Sequence, residues 1–116
     1  MLIALYDATI AAFPDLTVMI ATIRDEHAAH RESVSLASDS PGDDSPTASS
    51  PAASNVPPIA PTPQLALTNL MDAERRAIGQ RSQACESAES TDTARLLALI
   101  AASEAGHLEY LRGATA

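Results

Sequence analysis

The chain has 116 residues, enough for one small domain with a modest core. Hydrophobic residues make up 46% of it but aromatics only 3%, so packing must rest on Ala, Leu and Ile at close helix approach, and Ala is the best helix former. The net charge is -8, all positive charge coming from Arg with no Lys, which removes the basic surface that nucleic-acid binding requires.

The amino terminus, MLIALYDATIAAF, reads as a first helix over about residues 2 to 12. It lacks a basic leader and meets Asp7 early, unlike a signal peptide, and no segment reaches the ~20 apolar residues of a transmembrane helix. A cytoplasmic location is therefore the default expectation, with a cell-envelope location if the natural chain starts upstream. Phe13-Pro14-Asp15 breaks the helix, and Pro14 or Asp15 can start a second one over about 15 to 37. Its stripe is Leu16, Ile20, Ile23, His27, His30 and Val34, alternately four and three apart, which turns both histidines inward. Glu26 falls at the edge of that stripe beside His30, and Asp25 points the opposite way, into water.

Residues 39–63 hold every proline but Pro14, together with Ser, Asp and Thr, and are predicted to be a disordered linker. A third helix is expected over about 63 to 87, with the stripe Leu67, Leu70, Met71, Glu74, Ile78, Arg81 and Cys85. A fourth is expected over about 92 to 112, capped by Ser90 or Thr91 and ended by Gly113, with Leu97, Ile100, Glu104, Leu108 and Leu111 inward and His107 to one side. Ile23, Ile78 and Ile100 are predicted to be core and Ser103 exposed. Cys85 is alone, so no intrachain disulfide forms, and it reads as a buried thiol.

Candidate chemistry lies where charged and ligand-capable groups interrupt these apolar faces, because an uncompensated charge is costly there. Glu104 with His107, and His27 with His30, are three apart and share a helix face. A short turn makes the third and fourth helices antiparallel, and Glu74 and Glu104 are equidistant from its centre near Glu89, so two inward carboxylates meet at one level. Both stay charged only with a cation, a shared proton or an arginine, for which Arg81 is at hand. The candidate metal ligands are thus Glu26, His27, His30, Glu74, Glu104 and His107. The first helix is short and supplies no Glu; Tyr6 or Asp7 reaches the polar level only if displaced toward it.

A carboxylate on each of two helices plus a Glu-x-x-His pair on each of the other two is the ligand plan of ferritin-like di-iron or di-manganese bundles. The runs YDATIAAFPDL, IRDEHAAHRESV and LIAASEAGHLEYL, around an Ala/Pro/Ser-rich insert, resemble the actinobacterial ferritin-like domains of unknown function, several of them exported lipoproteins. The resemblance implies one ferritin-like all-α domain over 1–116, two antiparallel helix hairpins joined by a long crossover, with iron or manganese as the metal. It carries no reaction. The chain departs from the plan at its first helix and at Glu26 to His30, spaced by four, and it has no lipobox cysteine.

Three function classes follow, and a non-enzymatic role is expected. First is a structural or interaction domain that keeps the bundle with a degenerate polar site. Second is a metal-binding ferritin-like protein with oxidase-type chemistry at iron or manganese. Third is a homodimer in which two chains complete each other's core beside the short first helix. No nucleophilic triad, phosphate loop or paired-cysteine zinc pattern is present.

Overall fold

The structure, a computed structural model, describes residues 1–38 and 57–116. The described residues form four helices and no strand: α1 (Leu2–Ala12), α2 (Thr17–Ser38), α3 (Pro63–Glu86) and α4 (Thr91–Thr115), with a single 3-10 turn, Pro14–Leu16, between α1 and α2. The all-α class expected from composition is therefore present. No single described helix is long and apolar enough to cross a membrane.

Local chemistry sets the ends. Phe13 leaves the helical region at φ -133° and ψ 76°, and Pro14, which has no N–H to donate, opens the 3-10 turn that Leu16 N–H closes on Phe13 O at 2.9 Å. The α2 helix consequently begins at Thr17, two residues later than expected, and the chain turns by 118° between α1 and the segment from Pro14 onward. That hairpin is splayed rather than tightly antiparallel. Thr62 caps α3 by accepting from Leu65 N–H at 3.2 Å, with Pro63 in the first turn. Ser90 caps α4 as expected, accepting from Thr93 N–H at 3.1 Å. At its far end α4 passes through Gly113 and runs to Thr115, because Gly113 stays helical instead of turning left-handed.

Of the expected linker, residues 39–56 lie outside the described residues. Of its tail, Pro58, Ile59 and Ala60 line one small cavity with Leu5, Ala8, Phe13 and Ala66, and Ile59 stays 65% exposed.

The core draws on all four helices, with Tyr6, Ile20, Ile23, Leu67, Leu70 and Leu111 in one cluster. Ile100 is buried as expected, but Ile78 is only half-buried and Ser103 is half-buried rather than exposed. The short α1 accounts for Ile78. Its first residues, Met1, Leu2 and Leu5, stand opposite Ala73 and Ala77, and α3 beyond that level loses the cover of a fourth helix. On the surface Arg24 of α2 grips Asp7 of α1 at 2.8 Å, so Asp7 is spent on an exposed clasp. Such a pair adds at most about 1 kcal/mol.

Leu99 and Ile100 are neighbours in sequence and opposite in environment, 64% and 2% exposed. Urea titration should show Ile100→Ala losing about 2–5 kcal/mol through the cavity it leaves, and Leu99→Ala staying within roughly 0.5 kcal/mol of the parent. Equal losses would mean that the buried face of α4 is assigned to the wrong residues.

Candidate metal centre

One carboxylate collects a side chain from every other helix. Glu74, fully buried on α3, accepts a hydrogen bond from the Tyr6 hydroxyl of α1 at 2.6 Å and lies 2.7 Å from His27 Nε2 of α2, both at Oε1. From α4, His107 brings Nδ1 to 3.7 Å from the same oxygen, beyond hydrogen-bond range but well within reach of its charge. The local sequence explains the convergence. His27 continues the stripe of Ile20 and Ile23, Glu74 follows Leu67 and Leu70 one turn on, and His107 sits between Glu104 and Leu111, so each polar group rides a face that apolar neighbours press inward.

Donor atoms of His27, Glu74 and His107 all fall within 4.8 Å of one another, about the span of two metal–ligand bonds of ~2.1 Å. Burial alone would raise the Glu74 carboxyl, yet the His107 and His27 imidazoles and the Tyr6 hydroxyl outweigh it and hold it down at about 2. Burial works to lower His107, and the Glu74 and Glu26 carboxylates overcome it and raise the imidazole above its ordinary value. Burial, then the nearby Glu74 carboxylate, pushes the Tyr6 phenol far up, so it remains a donor.

Around this centre lie the other expected residues. Glu26, half-exposed, is 2.6 Å from His107 Nε2, the opposite nitrogen from the one facing Glu74, and that contact lowers its carboxyl. In a neutral ring the arrangement places the proton on Nε2 and leaves the Nδ1 lone pair directed at the cluster. Glu104 is fully buried and meets Arg81 Nε at 3.4 Å, the outer limit of a hydrogen bond; burial raises its carboxyl despite the arginine. The His30 ring centre is 6.1 Å from that of His27 and 6.4 Å from that of His107, and burial, then the His27 and His107 rings, lowers it. Asp25 is exposed, as its position on the wheel requires.

Four buried polar atoms have no hydrogen-bond partner among the described residues: Glu74 Oε2, Glu104 Oε2, His107 Nδ1 and His30 Nδ1. Each such atom is expensive in isolation. Their concentration at one level marks a site whose polar capacity exceeds what the protein itself satisfies. Tyr6 is the member that sequence reasoning placed least well. Its signal was its standing as the one aromatic of an otherwise Ala- and Leu-rich α1, but the register of a splayed hairpin is not readable from a mirror rule.

Two imidazoles and one carboxylate, with lone pairs left over, form a donor set for a first-row divalent metal ion. No family model, curated protein or solved structure matches this chain, so its chemistry is argued from the four-helix geometry and the buried His/Glu/His cluster alone.

Proposed function

We propose that the protein binds a divalent first-row transition-metal ion between His27, Glu74 and His107. The observation that carries this reading is the set of four partnerless buried polar atoms around that cluster, two of which, Glu74 Oε2 and His107 Nδ1, belong to the three ligand residues. Buried polar atoms need partners, and one ion would serve Glu74 Oε2 and His107 Nδ1 together, so metal binding ranks ahead of a purely structural bundle. Two neutral imidazoles and a carboxylate suit iron(II), and zinc(II) is a natural competitor; manganese is favoured less because it prefers oxygen donors. A bound ion supplies Lewis acidity and, if it is iron, one-electron chemistry.

The chain's own residues then have distinct tasks. Tyr6 holds the Glu74 carboxylate in place through Oε1, and Glu26 fixes the His107 tautomer from the outer side of the ring. His30 and Glu104 flank the centre. We extend the reading to a ferritin-like bundle, which the contribution of one polar side chain from each helix and the long connection between α2 and α3 support.

Protein purified without a metal-affinity tag, reconstituted with iron(II), manganese(II) or zinc(II) and desalted, should carry metal by elemental analysis. Chelator should lower its melting temperature, and Glu74→Gln or His107→Ala should weaken binding by at least about 100-fold, the upper range for loss of a mere outer-shell partner. Metal at background level in all three reconstitutions, with melting indifferent to chelator, would refute the site.

The metal-free protein makes a separate acid-side prediction. Because Glu74 titrates near 2 when folded, against 4.5 ordinarily, its ionised form stabilises the fold above the ordinary range, and that contribution is lost as pH falls from about 4.5 toward 2. Metal-free wild type should thus exceed Glu74→Gln in unfolding free energy by on the order of 2 kcal/mol at pH 6, and the gap should close across that window. A gap unchanged down to pH 2 would show that Glu74 is not held ionised by its neighbours.

A further inference from the structure

The inner side of α4 carries Glu104 and His107 into the core, and its outer side is exposed along its whole length. Between Arg95 and Glu109 that outer side has no charged residue, although the chain carries a net charge of -8. Leu99 stands on it 64% exposed and Tyr110, beside its end, 55% exposed. Gly106 lies on the same side with open space where a Cβ would project, so nothing among the described residues asks for glycine, one of the weakest helix formers, in the middle of this helix. A single exposed leucine needs no explanation, but an uncharged helix side bounded by two opposite charges has the make-up of a contact surface.

We propose that this outer side of α4 binds the same side of a second copy of the chain, the two helices running antiparallel about a two-fold axis at Ala102. The charges select both the partner and its direction. Arg95 and Glu109 stand seven residues to either side of Ala102, about two turns away and therefore on its face. Antiparallel pairing centred there sets Arg95 of each copy opposite Glu109 of the other, whereas parallel pairing would stack arginine on arginine and glutamate on glutamate. An unrelated partner would have no need of charges placed symmetrically about one alanine. Within its own chain Arg95 meets only Asp92, at 3.5 Å, and Glu109 only Arg112, at 2.6 Å; all four are exposed, so neither pair holds its charge back from an interface. The apolar residues obey the same symmetry. Leu99 comes to the level of Gly106 of the other copy, where the missing side chain leaves room for it, and Ala98 to that of Ala105. One helix about 37 Å long against its copy is a small interface, below the roughly 1,200 Å² of stable complexes, so the dimer is reversible. The inference does not rest on metal binding, since Glu104 and His107 face the other way.

Sedimentation equilibrium of the full chain, loaded from micromolar to millimolar concentration, should show a reversible monomer and dimer equilibrium. Ala102→Glu brings two like charges together at the axis and should leave only monomer, while circular dichroism and melting at the lowest concentration stay those of wild type because the position is exposed. Arg95→Glu and Glu109→Arg should each weaken dimerisation at least about 10-fold, since each alone faces like charges across the interface. An equimolar mixture of the two variants restores both opposite-charge pairs and should dimerise as wild type does. Monomer at every concentration would overturn the proposal. So would a dimer that Ala102→Glu leaves intact, which would put the interface elsewhere, for instance on the open flank of α3 beside Met1 and Leu2. A mixture no tighter than its two components would refute the antiparallel register about Ala102. Should Ala102→Glu fail to fold, the mixture still decides.

Discussion

The burial of the Glu74 carboxylate constrains everything else in this bundle. A lone carboxylate at zero exposure would take up a proton or unfold the segment that carries it, since the desolvation penalty runs to several kcal/mol. Here it stays ionised because Tyr6, His27 and His107 surround it, one from each of the other helices. Helix positions that look independent are therefore joined through a single oxygen, Glu74 Oε1. Apolar packing of Ile20, Ile23, Leu67, Leu70 and Leu111 brings the helices to the right separation, and the carboxylate favours the register in which the three side chains converge on it.

That constraint explains why so short a first helix is sufficient. The α1 helix spans 11 residues against 22 to 25 for the others, and it leaves the far end of α3 partly open beside Met1, Leu2 and Leu5. It needs only to bring Tyr6 to the level of Glu74 and to bury Thr9 one turn on, which the 118° turn at Phe13 and Pro14 permits. The Arg24 to Asp7 clasp then ties α1 to α2 at the surface.

Much of this was legible in the sequence, and for stated reasons. The helical segments follow from periodicity and from capping chemistry at Ser90, and the inward face of His27, Glu74, Glu104 and His107 follows from apolar neighbours three and four residues away. Proline density marked the end of the linker well, since α3 begins at Pro63 behind the Thr62 cap. What periodicity cannot supply is crossing angle. Equidistance from the turn served α3 and α4, whose turn is short, but gives no register for the splayed first hairpin, where the structure sets Tyr6 beside His27. Gly113 misled in a different way: a glycine near a helix end permits a left-handed stop without requiring one.

The same arithmetic of buried charge links stability to function. Glu74 Oε1 and His27 Nε2 lie 2.7 Å apart, and an ion ligated through that nitrogen, as proposed, would take the place of any proton shared there. On the proposed reading an ion and a shared proton are alternatives at one position, and the ion stabilises the fold by the difference between them. Glu26 sits on the half-exposed side of His107, where water can take up what the interior releases. The cluster is held together by hydrogen bonds among its own side chains, and on the proposed reading an ion would replace some of them. The two buried carboxylates are met differently: Arg81 stands 3.4 Å from Glu104 at the rim, whereas Glu74 is met by an imidazole and a phenol.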